Sequence, residues 1–196
     1  RSARSALLEV ISKWLYGGRL VFSEEVTRDR QASAARAGIW KHNTETYAWH
    51  QVEGVEDKDK SISSNSWRNL TEAAECIKVA KQVISSSNGE YLAEDIAIIT
   101  PYTGQARAIQ DLQSAQAELT GVTVGTVDSF QGSERKITIV STTRSMKHAS
   151  GFIRDEGRTN VQITRFSHGC IVVGNAEVMK TCGGFWAELT AVINIK

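Results

Sequence analysis

The chain has 196 residues, of which 41% are hydrophobic and 23% charged, and its formal net charge is +1. That length suits one substantial domain with its own core, and the composition is ordinary for a globular protein. No apolar run reaches the roughly 18 residues of a membrane span, and the start lacks the basic and apolar regions of a signal peptide. The three cysteines are odd in number and lack metal-ligand spacing, which predicts reduced thiols. Membrane-spanning and disulfide-rich secreted classes are therefore excluded, and we expect an intracellular location, nuclear or cytoplasmic.

The first third of the chain predicts one helix, one strand and two irregular stretches. Residues 5–16 carry apolar side chains at helical spacing and end at Gly17-Gly18, which predicts a helix. Residues 21–45 are polar and irregular, which predicts a surface loop. Residues 46–53 alternate weakly and predict a strand, whereas the charged and serine-rich residues 55–66 predict a mobile loop.

The rest of the chain alternates helices with short apolar strands. Continuous apolar runs predict strands at 96–99, 121–124, 137–140 and 170–173. Helical spacing predicts helices at 69–85, 103–117 and 159–166, and a final helix around 185–193. This alternation predicts an α/β fold with a mainly parallel sheet covered by helices on both sides. In such sheets ligands gather at the loops that leave the carboxyl ends of the strands.

Charge is spread unevenly along the chain. Residues 45–75 carry seven acidic and three basic side chains, whereas residues 134–168 carry seven basic and three acidic ones. A basic segment suits a polyanionic partner such as a nucleotide or a nucleic acid. Charge scattered over a solvated face is an equally simple explanation, so charge alone does not decide between the two.

The segment Thr126–Glu134 is a polar turn that contains a glycine and lies between two predicted strands. Gly132 would let the backbone approach a ligand closely, and Gln131 and Glu134 would supply polar groups at a strand edge. An ordinary β-turn with a capping aspartate explains the same residues. Local chemistry favours that alternative, because carboxylates do not seek phosphates.

Residues 158–165 place two arginines on a predicted helix, where Val161 and Arg165 lie one turn apart, as do Arg158 and Gln162. An arginine held by a rigid element near a nucleotide can stabilise the charge that develops on a transferred phosphoryl group. A plain surface arginine is the usual explanation of such a residue taken alone.

The predicted strand 96–99 is followed by a hydroxyl, a proline and an aromatic side chain, those of Thr100, Pro101 and Tyr102. Together they could hold one phosphate and present an exposed ring on which bases of a single strand stack. Alternatively, Thr103 begins a helix and Tyr102 packs on the core. The two interpretations are compatible, since nucleic acid often binds at such a helix start.

Taken in order, these segments resemble the C-terminal motifs of superfamily-1 helicases, specifically those of the up-frameshift branch. The resemblance spans nearly the whole chain, and the ordered set is specific although each motif alone is weak. The matching positions are Thr100, Pro101, Tyr102 and Gln105; 127–132 and Glu134; Gly151, Phe152, Asp155, Arg158, Asn160, Val161, Thr164 and Arg165; Asn69, Glu72 and Ala73; Tyr16, Gly18 and Leu20; and 171–175.

The resemblance implies a second, C-terminal RecA-like domain, a three-layer fold of the P-loop NTPase type. Residues 1–196 would form this one domain of a longer chain, with an N-terminal helix and irregular arm in 1–45 and the main α/β body in 46–196. Its parent would be an ATP-dependent helicase or translocase that moves on single-stranded RNA or DNA. The sequence lacks a Gly-x-x-x-x-Gly-Lys-Ser/Thr phosphate loop. ATP and Mg²⁺ would thus be held mainly by a preceding RecA-like domain, and the fragment alone should not hydrolyse ATP.

The resemblance also implies roles for single residues. Arg165 would be the arginine finger that reaches the γ-phosphate, and Glu134 would help to position water, ribose or the finger. Arg1 would be a second γ-phosphate contact. Further ATP contacts would be Gln131, Gly132 and Arg158, and the nucleic-acid contacts would be Thr100, Pro101, Tyr102, Thr126 and Asn160.

Departures from the family pattern leave a second function open. Gln162 and Phe166 are bulkier than the alanines that the family usually carries there, so local helix packing must differ. The His-Pro expected after the family's N-terminal arginine is missing near Arg1. A catalytically decayed, helicase-like scaffold that binds nucleic acid is therefore the alternative. A Rossmann-like enzyme lacks support, since no strand is followed by a Gly-x-Gly-x-x-Gly turn.

Overall fold

The computed structural model describes residues 3–20, 46–60, 66–147 and 151–193. A five-stranded sheet is formed by β1 (Tyr47–Gln51), β4 (Ile96–Thr100), β5 (Thr123–Thr126), β6 (Arg135–Ser141) and β7 (Phe166–Gly174). These strands lie in the order β1-β7-β6-β4-β5, and all the described pairings are parallel. The helices are α1 (Ala3–Tyr16), α2 (Leu70–Ser86), α3 (Thr103–Ser114), α4 (Glu156–Thr164), α5 (Ala176–Thr181) and α6 (Gly184–Val192). The predicted α/β fold with a parallel sheet is confirmed.

Helices cover both faces of the sheet, which explains the continuous apolar runs. Every residue of β4 is buried. Ile96 and Ile98 pack with α2 and α3 on one face, whereas Ala97 and Ile99 face the turn that follows β5. Helices α1, α4, α5 and α6 contribute to the core on the second face. No helix in the described ranges is long and apolar enough to cross a bilayer.

Residues 55–66 differ in part from the mobile loop that their composition predicts. Strands β2 (Asp57–Lys58) and β3 (Trp67–Arg68) pair in antiparallel fashion, and Glu56 and Asp59 are buried. The loop prediction is wrong there because both carboxylates find arginine partners, at Arg144 and Arg68. Residues 61–65 lie outside the described residues, as do Arg1 and the predicted loop 21–45.

The three cysteines, Cys76, Cys170 and Cys182, are all free and buried. Burial raises the pKa of the Cys170 thiol to about 12 and that of Cys76 well above its ordinary value. These two thiols are therefore protonated at neutral pH, and the absence of a disulfide between the three cysteines agrees with the prediction of reduced thiols.

Candidate functional site

The predicted site residues fall into two groups at opposite ends of the sheet. Thr100 and Thr126 pair at the carboxyl ends of β4 and β5. Arg165 immediately precedes β7, and its carbonyl accepts a hydrogen bond of 3.0 Å from the backbone N–H of Arg135, where β6 begins. Because β6 has seven residues, the two ends are about 20 Å apart at 3.3 Å per residue. Arg165 and Glu134 therefore lie at the amino end of the strands, away from the edge where ligands of parallel sheets usually gather.

Arg165 follows α4 as its C-terminal cap and is half-buried. One guanidinium nitrogen, Nη2, donates to Thr164 Oγ1 at 3.0 Å. The Nε atom is buried and has no hydrogen-bond partner. A buried donor without a partner costs free energy, typically about 1–3 kcal/mol and more for charged groups. The guanidinium is therefore held by this one hydrogen bond and is incompletely satisfied.

The segment after β5 forms a turn that leads to the same end of the sheet. Ser133 donates its N–H to the carbonyl of Phe130 at 3.0 Å, Gln131 has φ −62° and ψ 119°, and Gly132 has φ +84°. These values describe a type II β-turn, which needs a residue that tolerates positive φ at its third position. Gln131, Gly132 and Glu134 are all exposed. The alternative of an ordinary β-turn is thus correct for the backbone, and the turn leaves these three residues open to a ligand.

Arg158 is held by two carboxylates. Its Nε and Nη2 donate to Asp128 at 3.2 and 3.3 Å, and its Nη1 lies 3.7 Å from Asp155 Oδ2. Asp155 also caps α4 by accepting the backbone N–H of Arg158 at 2.9 Å. The Asp128 side chain therefore fixes the turn to α4 instead of capping the turn, a partnership that the sequence did not predict.

At the carboxyl end, the structure corrects the prediction of an exposed aromatic ring. Tyr102 is only 5% exposed, and its hydroxyl accepts a hydrogen bond of 3.3 Å from Arg144. Thr100 is fully buried, with its hydroxyl 2.9 Å from that of Thr143. The ring packs inward because burial and the arginine contact satisfy both its apolar body and its polar tip. Pro101 and Thr126 remain partly exposed.

Asn160 and the two bulkier residues contact the domain's own elements. Asn160 Oδ1 accepts from the Tyr16 hydroxyl at 3.2 Å and thereby links α4 to the end of α1. Gln162 is buried and donates through Nε2 to the carbonyl of Ser141 at 3.2 Å. The Phe166 ring packs edge-on against Tyr47, with centroids 4.8 Å apart. The predicted local change in helix packing is therefore accommodated by one buried hydrogen bond and one aromatic contact.

A buried carboxylate for which the sequence predicted no functional role, that of Glu72, lies at the carboxyl end of β6. Glu72 is 1% exposed, and its Oε1 accepts from Ser141 Oγ at 2.7 Å and from the backbone N–H of Thr143 at 2.5 Å. Gln105 donates to the same Ser141 hydroxyl at 3.0 Å and accepts the N–H of Asn69 at 2.7 Å. All five of these residues are buried, so the motif positions Asn69, Glu72 and Gln105 form one polar network at the carboxyl end of β6.

The network encloses residues 141–145, which we call the strand-end loop. Thr143 within it has φ +68°, a left-handed conformation that a β-branched residue rarely adopts. Such strain costs on the order of 1–3 kcal/mol. A second carboxylate, that of Glu56, accepts the N–H of Ser145 at 2.5 Å and both Nε and Nη2 of Arg144 at 2.9 and 3.0 Å. Two buried acids from outside the loop therefore hold its strained backbone in place.

Burial raises the pKa of Glu72 to about 7, against an ordinary 4.5, although its hydrogen bonds lower it. The folded chain thus holds this proton more tightly than the unfolded chain does. Its contribution to stability is complete below pH 4.5 and is lost as the pH rises through 7. Between pH 5 and pH 8 we expect Glu72 to lower the free energy of unfolding by roughly 2–3 kcal/mol, a decrease that Glu72→Gln should abolish.

Urea unfolding of the chain at pH 5 and pH 8 measures this difference. Glu75→Gln is the matched control, because Glu75 lies on the same helix and its pKa is lowered by His50 and Lys78 rather than raised. An unchanged pH dependence in Glu72→Gln would contradict the assignment of the raised pKa to this carboxyl.

Comparisons with known proteins add an independent observation. A family model described as an AAA domain matches residues 2–177. The chain is 40% identical over 128 residues, 62% of its length, to the ATP-dependent helicase upf1 of Schizosaccharomyces pombe, of which it covers 14%. It is 33% identical over 180 residues, 89% of its length, to Regulator of nonsense transcripts 1 of Dictyostelium discoideum, of which it covers 13%. Helicase sen1 of Schizosaccharomyces pombe is 26% identical over 91% of the chain, which covers 10% of that protein.

Proposed function

Since the chain belongs to the AAA-domain family, within the up-frameshift type of superfamily-1 helicases, we propose that it is the C-terminal RecA-like half of an ATP-dependent helicase or translocase. The family resemblance, the RecA-like α/β fold and the presence of a helicase domain are confirmed by these matches. The chain spans only a small part of its relatives, so the motor activity of the parent protein is part of the proposal.

The observation that carries the proposal is the incomplete hydrogen bonding of Arg165. In the described part of the chain, three buried side-chain atoms lack a partner, and only Arg165 Nε belongs to a charged group. Arg165 is only half-buried as a residue, so an anion from outside the domain can approach its guanidinium group. ATP, held with Mg²⁺ mainly by a preceding RecA-like domain, would supply that anion as its γ-phosphoryl group. Arg165 would stabilise the charge that develops there during transfer to water.

The exposed turn also supports the proposal that the nucleotide binds at the amino end of the strands. Glu134 directly precedes Arg135, whose backbone N–H donates a hydrogen bond to the carbonyl of Arg165. We therefore propose that Glu134 positions water, ribose or the finger, and that Gln131 and Gly132 offer polar groups to the nucleotide. Arg158, paired with Asp128 and Asp155, would act in the same cleft by holding α4 against the turn. The role of Arg1 stays a prediction.

Single-stranded RNA or DNA would bind at the carboxyl end of the strands. Pro101 and Thr126 are the predicted contacts that are partly exposed there, and the Thr126 hydroxyl can donate a hydrogen bond to a backbone phosphate. The buried Thr100 and Tyr102 would support this surface from within. Asn160 would contribute by joining α4 to α1. ATP binding would close the two domains on the strand, and hydrolysis would open them.

The test is ATP hydrolysis by the full-length protein with and without single-stranded RNA and single-stranded DNA. We expect turnover that rises when either polymer is added, and no turnover by the 196-residue chain alone. A full-length protein that binds nucleic acid but does not hydrolyse ATP would overturn the proposal in favour of a decayed scaffold. The relative response to the two polymers identifies the preferred substrate.

A further inference from the structure

The strand-end loop contacts the segment proposed to support the nucleic-acid surface. The hydroxyl of Thr143 lies 2.9 Å from that of Thr100, and Nη1 of Arg144 donates to the Tyr102 hydroxyl at 3.3 Å. The Arg144 guanidinium also lies over the Trp67 ring, 4.7 Å from its centroid. A movement of Thr100 or Tyr102 would therefore change the positions of residues 143 and 144 directly.

The same loop contacts the helix that ends at the proposed finger. The carbonyl of Ser141 accepts a hydrogen bond of 3.2 Å from Gln162, which is buried on α4 three residues before Arg165. The loop thus contacts Thr100 and Tyr102 at the carboxyl end of the strands and, through Gln162, the helix that leads to Arg165 at the other end, about 20 Å away.

The backbone conformation of the loop is stabilised by the Glu72 side chain and not by the conformational preference of threonine. Thr143 is fully buried at φ +68°, and Glu72 Oε1 receives both its N–H and the Ser141 hydroxyl. A strained segment that is held by side chains from other elements, here Glu72 at Thr143, can take a second conformation when such a contact changes. Such a two-state element is what coupling between distant sites requires.

We infer that Glu72 is a positioning residue whose Oε1 oxygen holds the strand-end loop, and that this loop couples nucleic-acid binding to the placement of Arg165. This inference rests on the proposed function. Glu72 touches neither ATP nor nucleic acid; it acts through Thr143 and Ser141. Its loss should therefore lower the stimulation of ATP turnover by nucleic acid and leave the unstimulated rate unchanged.

Two substitutions in the full-length protein separate positioning from charge. Glu72→Asp keeps the charge but shortens the side chain, so its oxygen no longer reaches Thr143. Glu72→Gln keeps an oxygen at the Oε1 position, where both donors converge, and removes the charge. We expect the ratio of stimulated to unstimulated turnover to fall about fivefold or more in Glu72→Asp and to be retained in Glu72→Gln. Ser141→Ala removes one of the two donors, is a smaller change, and should lower the ratio in the same direction.

The outcomes distinguish this inference from the proposed function. A wild-type protein that shows no stimulation would defeat the proposed function itself. A stimulated wild type with an unchanged ratio in Glu72→Asp and Ser141→Ala would overturn the inference alone, as would an equal loss in Glu72→Asp and Glu72→Gln. If Glu72→Asp does not fold, Ser141→Ala decides. A purely structural role would lower both rates together and leave the ratio unchanged.

Discussion

Arg165→Ala in the full-length protein should lower nucleic-acid-stimulated ATP turnover by about 10³-fold or more. The expected loss is this large because an arginine finger acts mainly on the transition state, where charge on the transferred phosphoryl group is greatest. Binding of nucleic acid should change far less, since Arg165 lies about 20 Å along β6 from the carboxyl end of the strands. Binding of ATP should also change less than turnover, because an interaction made mainly in the transition state contributes little to ground-state affinity. Steady-state hydrolysis at saturating ATP and single-stranded RNA or DNA, together with equilibrium binding of both, measures the effect.

Arg135→Ala is the matched control for this prediction. Arg135 lies at the same end of the sheet, but its guanidinium already donates to the carbonyl of Glu134 at 2.9 Å and to Thr123 Oγ1 at 3.2 Å. We expect turnover within a few-fold of the wild type. Equal losses in the two variants would mean that Arg165 acts only as general positive charge at this end.

Arg144→Met should lower the free energy of unfolding by about 3–5 kcal/mol, because it leaves the buried Glu56 carboxylate without its cation. The two side chains are only 8% and 1% exposed. Replacing both, as in Glu56→Gln with Arg144→Met, should be less destabilising than the sum of the single changes, since no charge is then left buried. Urea unfolding of the four proteins in this double-mutant cycle gives the coupling energy.

Lys13→Ala shows whether burial or distance decides the strength of an ion pair in this chain. The bond from Lys13 to Glu188 is shorter, at 2.6 Å, but its side chains are 64% and 38% exposed. Solvent and salt screen such a pair, so we expect a loss of at most about 1 kcal/mol. A loss as large as that of Arg144→Met would contradict the argument from burial.

Much of the fold and the family could be predicted from the sequence because both depend on local patterns. A strand covered by helices on both faces must be apolar at successive positions, so the run from Ile96 to Ile99 predicts β4 directly. The helix from Leu70 to Ser86 follows from apolar side chains that recur every three or four residues. The helicase motifs are likewise short, ordered segments, and their order carries the resemblance.

The partners of the polar side chains were decided only by the tertiary structure. Arg144 and Glu56 are 88 residues apart in the chain, and Arg158 and Asp128 are 30 apart. No local pattern pairs such residues, because their distance depends on how strands and helices stack. The same is true of Tyr102, whose hydroxyl accepts a hydrogen bond from Arg144, three residues beyond the end of β6.

The strand-end loop is the clearest example of a conformation that the local sequence does not predict. Threonine by itself disfavours the left-handed conformation of Thr143, so local preference predicts a different backbone there. The conformation persists because Glu72, brought to the carboxyl end of β6 by the packing of α2 on the sheet, accepts its N–H. Local preference, which the sequence carries, thus determined the elements and the motifs. Burial and long-range hydrogen bonds, which exist only in the folded chain, decided how their functional side chains are held.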